Sequence, residues 1–253
     1  MKRFSRLEFD DSSRGRSDKR PHGESVRDEQ HFYREALRCW LSGDFELALR
    51  NYSRSLEQNT AFYEAWAGQV LMLIELGEYR EAVVWANKAL ELFPEHPELL
   101  ALKAVAYARD GRMDKALAYS DNSVCRDNVT SRVWLGRAEV LLNRKKKIAE
   151  NCISKALSIA GNNAPVIRLE AGRLLNAKGE YHAALEHLQN AVRDLPKSPL
   201  AWYCLGYCQA KLGRPEAAVT LEQSLKLRPD WDAAQSVLRR FNQRGLLRRL
   251  FRR

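Results

Sequence analysis

Glycine recurs along this chain at a spacing of 34 residues or a multiple of it. The glycines in this register are Gly43, Gly77, Gly111, Gly179 and Gly213. Lys145 stands at the one register position between them that lacks glycine. Alanines keep the same period, at Ala48, Ala82, Ala116, Ala184 and Ala218. A fixed period between about 20 and 50 residues is typical of stacked supersecondary units. The chain is therefore predicted to be an array of short units that rest on one another.

Each glycine of this series lies between two segments with the apolar period of a helix. Glycine commonly ends a helix because it adopts left-handed backbone angles without steric cost. The prolines from Pro94 onward fall between the predicted helices or in a first turn, where a missing N–H matters little. No strand is predicted, and a last helix is expected to begin near Trp231. The other predicted helices span 31–42, 45–57, 62–75, 79–92, 97–109, 113–126, 130–142, 146–159, 165–177, 181–194, 199–211 and 215–227.

Residue types also recur at fixed positions within the units. They are Trp66, Tyr79, Ala82, Ala89 and Pro94 in the second unit, Tyr107, Gly111 and Ala116 in the third, Ala184, Ala191 and Pro196 in the fifth, and Trp202, Leu205 and Gly206 in the sixth. This pattern resembles the tetratricopeptide repeat family, whose motif is W-x2-L-G-x2-Y, then A-x3-F, then P. The resemblance implies an all-α fold, a right-handed α-solenoid of about six helix hairpins. Units four to six depart from the motif, and we expect local irregularities there.

The chain is predicted to have three parts. Residues 1–29 are polar, with too few apolar side chains to offset the entropy of ordering, and are expected to be a disordered tail. Residues 30–230 hold the six units. Residues 231–253 are expected to form a helix that caps the last unit and continues into a basic amphipathic tail. The tail arginines singled out as a candidate site are Arg248, Arg249, Arg252 and Arg253.

Composition restricts the classes of protein. The formal net charge of +10 is concentrated at the C-terminal end, since residues 231–253 hold seven arginines and one aspartate. No apolar run is long enough to span a membrane, and the basic start lacks the apolar stretch of a secretory signal. The five cysteines are odd in number and scattered, which indicates a reducing compartment and a cytoplasmic location.

The resemblance also implies which side chains line the concave groove of the solenoid. Transferred onto this chain, the groove-facing positions predict these partner-contact residues: Tyr33, Leu71, Val105, Leu135, Glu139, Leu142, Leu169, Arg173, Tyr203 and Tyr207. The groove is expected to be mostly apolar with scattered charges, and a wide exposed apolar patch usually marks a binding site. The function expected is a non-enzymatic scaffold or adaptor that binds a helix or an extended segment of another protein. If the register slips by one residue, the same side chains form core between helices instead.

The C-terminal tail supports an alternative function. Leu246, Leu247, Leu250 and Phe251 fall on one helical face and the arginines on the other, as in an interfacial helix or an RNA-binding arm. The tail could thus give weak contact with RNA or an anionic membrane surface, or it could be a capping helix with solvated arginines. No catalytic constellation, phosphate-binding loop or metal-ligand spacing is found. We therefore predict no enzyme activity, no cofactor, no metal and no small-molecule substrate.

Overall fold

The structure, a computed structural model, describes residues 28–250, with side chains as far as residue 243. This part of the chain contains helices and turns and no strand, which confirms the all-α prediction. A short 3-10 turn over Gly161–Asn163 precedes α9. The helices are α1 Glu29–Ser42, α2 Phe45–Gln58, α3 Tyr63–Glu75, α4 Tyr79–Leu92, α5 Pro97–Arg109, α6 Met113–Val124, α7 Ser131–Leu141, α8 Lys146–Ser158, α9 Ala164–Ala177, α10 Tyr181–Asp194, α11 Pro199–Lys211, α12 Ala217–Leu227 and α13 Asp232–Leu250.

Helices α1 to α12 pair in sequence order into six hairpins, each with a first and a second helix joined by a tight turn. The glycines of the repeat series stand at five of the turns, with φ between 70° and 83°. In the first turn the Gly43 N–H donates to the Trp40 carbonyl and the Asp44 N–H to the Cys39 carbonyl, both over 2.9 Å. Because glycine alone lacks the Cβ that opposes these angles, the series determines where each hairpin turns.

The fourth hairpin turns without a glycine. Lys145 there has a φ of −137°, outside the left-handed region. The N–H groups of Arg144 and Lys145 both donate to the Leu141 carbonyl, over 2.9 and 2.7 Å. In the left-handed region the Lys145 Cβ would lie too close to the following carbonyl oxygen, so the backbone of this turn adopts other dihedral angles. Helix α12 is also irregular, because it begins at Ala217 rather than at the predicted residue 215. Both features are irregularities that the sequence predicted for units four to six.

Small side chains bring the helices of the array close together. Ala48, Ala82, Ala116 and Ala184 are 0 % exposed, and so is Ala149 of unit four. In unit six the expected Ala218 is only partly buried, while its neighbour Ala217 is 0 % exposed. The second half of that unit is one residue short of the repeat, which moves the buried position by one. Each unit thus buries its small residues against a neighbouring helix, and the core continues along the array.

The first unit also contacts the sixth, which no feature of the sequence predicted. The Ser198 hydroxyl, at the N-cap of α11, donates to the Leu41 carbonyl over 2.7 Å. Arg228 Nη1 donates to the Ser42 carbonyl over 3.1 Å. In a simple solenoid each unit contacts only its neighbours. Here the two ends of the array meet and enclose its concave side.

Trp231 completes this junction between the ends. Its ring lies over the turn at Gly43, where a Cβ would be only 2.6 Å from the indole. The same ring packs on Tyr203 with the centroids 4.6 Å apart. We call the junction of Leu41–Gly43 with Ser198, Arg228 and Trp231 the closing contact. It depends on a glycine that must both turn the chain and leave room for an aromatic ring.

Candidate functional site

The concave side of the array holds a cavity of about 380 Å³. Its walls come from the first helices of units two to six, which are α3, α5, α7, α9 and α11, with Tyr181 from α10. A volume of this size falls in the range of ligand pockets.

One row of side chains crosses the cavity at a spacing of one repeat. We call it the central row, and its members are Leu71, Val105, Glu139, Arg173 and Tyr207. The row is aliphatic in units two and three, charged in units four and five, and aromatic in unit six. Stacked units present the same position of their first helices to the same wall. A segment lying along the cavity would therefore meet apolar, charged and aromatic side chains in turn.

Four charged side chains join across the cavity. Arg109 Nε donates to Glu139 Oε1 over 2.7 Å, and Arg109 Nη2 lies 3.8 Å from Glu75 Oε1. Arg173 donates from Nη2 to Glu75 Oε2, which connects unit five with unit two. All four side chains are 25 % exposed or less. This cluster supports the closed form of the array, because it ties units that are not neighbours in sequence.

A second cluster surrounds Arg132 of α7. Its Nε donates to Glu170 Oε1 over 3.1 Å and its Nη1 to Glu98 Oε1 over 3.4 Å. The Thr130 hydroxyl donates to Glu98 Oε2 over 3.1 Å. The Glu170 carboxylate, with a further contribution from Glu98, raises the pKa of Arg132. Burial raises the pKa of Glu170, and Arg132 opposes that shift. A buried pair of this kind holds its charges only while both partners stay together.

Arg173 and Asn176 lie one turn apart on α9, where the cavity meets the closing contact. The Arg173 guanidinium carbon is 5.9 Å from the Trp40 ring centroid and 5.3 Å from that of Phe45, so it also touches unit one. Asn176 is 8 % exposed, and its Nδ2 donates to the Cys204 carbonyl over 2.9 Å. Its Oδ1 is buried and accepts no hydrogen bond from any residue that the structure describes. Burial raises the pKa of the Cys204 thiol to about 12.

The sequence matches the model of the tetratricopeptide repeat over residues 33–97, 73–127 and 169–234. Together these matches cover more than half of the chain. The chain belongs to the tetratricopeptide repeat family. The resemblance found in the sequence is thereby confirmed, and the hairpins of the structure are the repeats of that family.

Curated relatives share the tetratricopeptide repeat region. Protein CTR9 homolog of Arabidopsis thaliana is 26 % identical over 171 residues, which are 64 % of this chain and 16 % of that protein. Hsp70-Hsp90 organizing protein of Triticum aestivum is 26 % identical over 192 residues, 74 % of this chain and 33 % of that protein. Protein SGT1 homolog of Oryza sativa subsp. japonica is 37 % identical over 75 residues, 30 % of this chain and 20 % of that protein. The chain thus spans a third or less of the length of these relatives.

Solved structures show the same fold. The human IFIT1 dimer with m7Gppp-AAAA superposes with a TM-score of 0.57 at 17 % identity, covering 88 % of this chain and 66 % of that one. The Cut9 and Hcn1 hetero-tetramer of the APC/C gives a TM-score of 0.53 at 17 % identity, covering 85 % of this chain and 43 % of that one. At such identities the similarity concerns the fold, and it confirms the predicted α-solenoid of tetratricopeptide repeats.

The structure brings most of the predicted partner-contact residues of this tetratricopeptide repeat protein to one cavity. Those that line it are Leu71, Val105, Leu135, Glu139, Arg173, Tyr203 and Tyr207. Tyr33 packs elsewhere on α1, with its ring 5.8 Å from that of Tyr52 and 5.0 Å from that of Phe62. That these side chains contact a partner stays a prediction.

Two predicted contact residues, Leu142 and Leu169, lie in the core instead. Leu169 is 0 % exposed and Leu142 is 4 % exposed, and neither lines the cavity. In unit five the neighbouring Glu170 faces the cavity in place of Leu169. One residue is about 100° of helical rotation. The arrangement is favourable because the apolar side chain is buried completely, while the carboxylate lies at the cavity with Arg132 as its partner.

The cavity wall is also more charged than the sequence suggested. The prediction of a mostly apolar groove omitted Glu75 and Glu170, and it treated the remaining charges as scattered. A usable signal was present, since opposite charges recur about one repeat apart. Glu98 and Arg132 are 34 residues apart and Arg109 and Glu139 are 30 apart, and both pairs are bonded in the structure.

Other predicted features meet the limits of the described region. The backbone of α13 reaches Leu250, but the side chains of Arg248 and Arg249 and the whole of Arg252 and Arg253 lie outside the described residues. Among the side chains that are described, no group of three or more His, Cys, Asp or Glu is placed to hold a metal ion. No helix between residues 28 and 250 combines the length and the apolar character needed to span a membrane.

Proposed function

We propose that this protein is a non-enzymatic scaffold that binds an extended segment of another protein in its concave cavity. Proteins of the tetratricopeptide repeat family are typically scaffolds of this kind. The observation that carries the proposal is the central row, which places one side chain of each of five consecutive units on a single wall. Such a row offers a regular set of contacts to an elongated ligand.

The geometry favours an extended segment over a helix. Packed helices lie about 8–10 Å apart, and an extended chain rises about 3.3 Å per residue. Each unit would therefore meet about three residues of the bound segment. The central row presents one side chain per unit across five first helices, and an extended chain can follow that row residue by residue. An extended segment uses the length of the row without opening the array widely.

A display library of short random peptides, selected on the intact chain, tests the proposal. The selected peptides are expected to bind Leu71→Ser and Tyr207→Ser at least about tenfold more weakly, since burying one large apolar side chain contributes about 1.5–3 kcal/mol. The matched controls are Val84→Ser and Val219→Ser, which replace side chains that are 48 % and 70 % exposed and lie outside the cavity. Equal binding by cavity and control variants contradicts the proposal.

The alternative function through the basic tail concerns residues beyond the described side chains and stays a prediction. The dependence of binding on salt concentration distinguishes the tail function from binding in the cavity. Binding of RNA by arginines falls steeply with ionic strength because counterions are released, whereas binding through apolar contacts in the cavity is less sensitive. Cytoplasmic location likewise remains an expectation of the sequence.

A further inference from the structure

We infer, on the basis of the function proposed above, that the cavity recognises a basic side chain of the bound segment, with arginine the better fit. Two independent features of the wall point to the same missing group. One is an excess of one carboxylate in the cluster around Arg132, and the other is a buried acceptor that has no donor among the described residues. A guanidinium supplies what both require, namely a positive charge and several N–H donors with no acceptor.

The first feature is the balance of charges. Three guanidinium groups line the cavity, those of Arg109, Arg132 and Arg173, and each is already bonded to a carboxylate of the wall. Arg109 and Arg173 are balanced by Glu75 and Glu139. Arg132 is bonded to two carboxylates, that of Glu170, which lines the cavity, and that of Glu98, which does not. The cluster around Arg132 thus carries one negative charge more than it balances. Shielding from water strengthens that field, so a cation is attracted and an anion repelled.

One further cation lies near the central row. Lys211 stands over the Tyr207 ring, with Nζ 5.3 Å from the centroid. Its side chain is exposed at the last residue of α11, where water screens its charge. The charge of Lys211 therefore does little to neutralise the carboxylates inside the cavity, and its side chain lies at the edge of the cavity.

The second feature is Asn176. The bond from its Nδ2 to the Cys204 carbonyl fixes the orientation of the amide, so Oδ1 cannot exchange places with Nδ2. Oδ1 is left as a buried acceptor with no donor among the described residues, which is an unfavourable state for a polar atom. Asn176 lines the cavity beside Arg173, and Glu139 and Glu170 line it too. A cationic donor that enters there and displaces the atoms covering Oδ1 would bond the amide oxygen and also meet the carboxylates of the wall.

The arrangement predicts the spacing of the recognised motif. Units two and three offer the aliphatic Leu71 and Val105, and units four and five offer Glu139, Glu170 and Asn176. Since about three residues of extended chain span one unit, an apolar residue and a basic residue should stand about three to nine positions apart. An anionic segment would instead have to displace a wall carboxylate from its guanidinium partner.

The test uses the peptides selected on the intact chain. Arginine or lysine is expected at one position in most of them, with an apolar residue at the predicted spacing. By isothermal titration, replacing that basic residue with glutamine should weaken binding to the wild type about tenfold or more. The same replacement should matter far less for binding to Glu139→Gln. The control is Glu95→Gln, whose side chain is 65 % exposed and pairs with Arg126 outside the cavity.

Asn176→Ala is a second variant, which tests the inference if circular dichroism shows that Glu139→Gln folds poorly. It should also reduce the preference for arginine over glutamine. Selected peptides that are neutral or acidic, yet still lose binding to Leu71→Ser, overturn the basic-residue inference and leave the proposed function standing. Peptides that bind every cavity variant as tightly as the wild type contradict both the basic-residue inference and the proposed function.

Discussion

At the scale of single residues, glycines inside the first helices set how closely neighbouring helices pack. A Cβ on Gly206 would lie 2.7 Å from Leu221 Cγ and 3.1 Å from the Leu221 backbone nitrogen. A Cβ on Gly136 would meet Ala101 Cβ at 3.3 Å, and its next neighbour is a Val105 methyl at 3.4 Å. Both glycines weaken their helices, and close packing compensates for this; the packing is tighter at Gly206 than at Gly136.

We expect Gly206→Ala to lower the free energy of unfolding and Gly136→Ala to change it less. Overpacking a tight contact costs about 1–3 kcal/mol, while alanine in a helix interior gains about 1 kcal/mol over glycine. The net expectation is a loss of about 1 kcal/mol at residue 206 and a value near zero at residue 136. Denaturant unfolding followed by circular dichroism measures both. Equal losses at the two positions would show that the contact at Leu221 is not the cause.

At the scale of the helix, the repeats share a turn but differ in how the second helix is capped. The Asp44 carboxylate accepts a hydrogen bond from the Leu47 N–H over 3.1 Å at the start of α2. Glu78 occupies the same place before α4 and makes no such bond. A shorter side chain reaches the free N–H groups of the first turn, whereas glutamate at this position does not.

The difference in capping predicts a difference in stability. Asp44→Ala should lower the free energy of unfolding by about 1 kcal/mol, because it removes an N-cap acceptor. Glu78→Ala should leave that free energy nearly unchanged and serves as the matched control. Parallel denaturant titrations compare the two variants. Similar effects of both substitutions would mean that the acidic charge, rather than the cap, stabilises these helices.

At the scale of the whole molecule, the closing contact decides whether the concave side is a groove or a cavity. The junction is small, comprising two side-chain hydrogen bonds and the packing of Trp231, while Arg173 and Glu75 add a tie across the cavity. A solenoid bends by small rotations at each interface, so a modest change at the junction can open the array. A segment that binds in the cavity would enter when the array opens at this junction.

Trp231→Ala should open the array and expose Cys204, which lines the cavity. In the closed form burial raises the pKa of that thiol to about 12, so little thiolate exists at neutral pH. Opening returns the pKa toward its ordinary value, and alkylation of Cys204 by iodoacetamide should become faster at least about tenfold.

Peptide mass spectrometry of the alkylated chain measures this change. Cys125 is exposed and provides the internal control, since its rate should be the same in both forms. Far-UV circular dichroism excludes general unfolding as the reason. If alkylation of Cys204 stays slow in the variant, the closing contact is not what keeps the cavity closed.

The local pattern of the sequence was enough to predict most of the fold. Helix α3 was predicted over 62–75 and found over Tyr63–Glu75, because the glycine turns and the helical period are encoded within a few residues. The members of the central row were among the groove positions that the family resemblance implied. Leu169 was misplaced because a single step around a helix, invisible to a repeat register, decides whether leucine or Glu170 faces the cavity.

The sequence by itself determined that the chain is a stack of helical hairpins and where each hairpin turns. Its resemblance to the tetratricopeptide repeat family implied that Leu71, Val105, Glu139, Arg173 and Tyr207 face the concave side. Only the tertiary structure decided that the stack closes, that Arg173 reaches Glu75, and that the wall holds two clusters of ion pairs and an amide oxygen with no donor among the described residues. Local periodicity specifies each unit and its neighbour. The curvature of the array is a sum of small rotations set by side-chain packing at every interface, and no single stretch of sequence contains that sum.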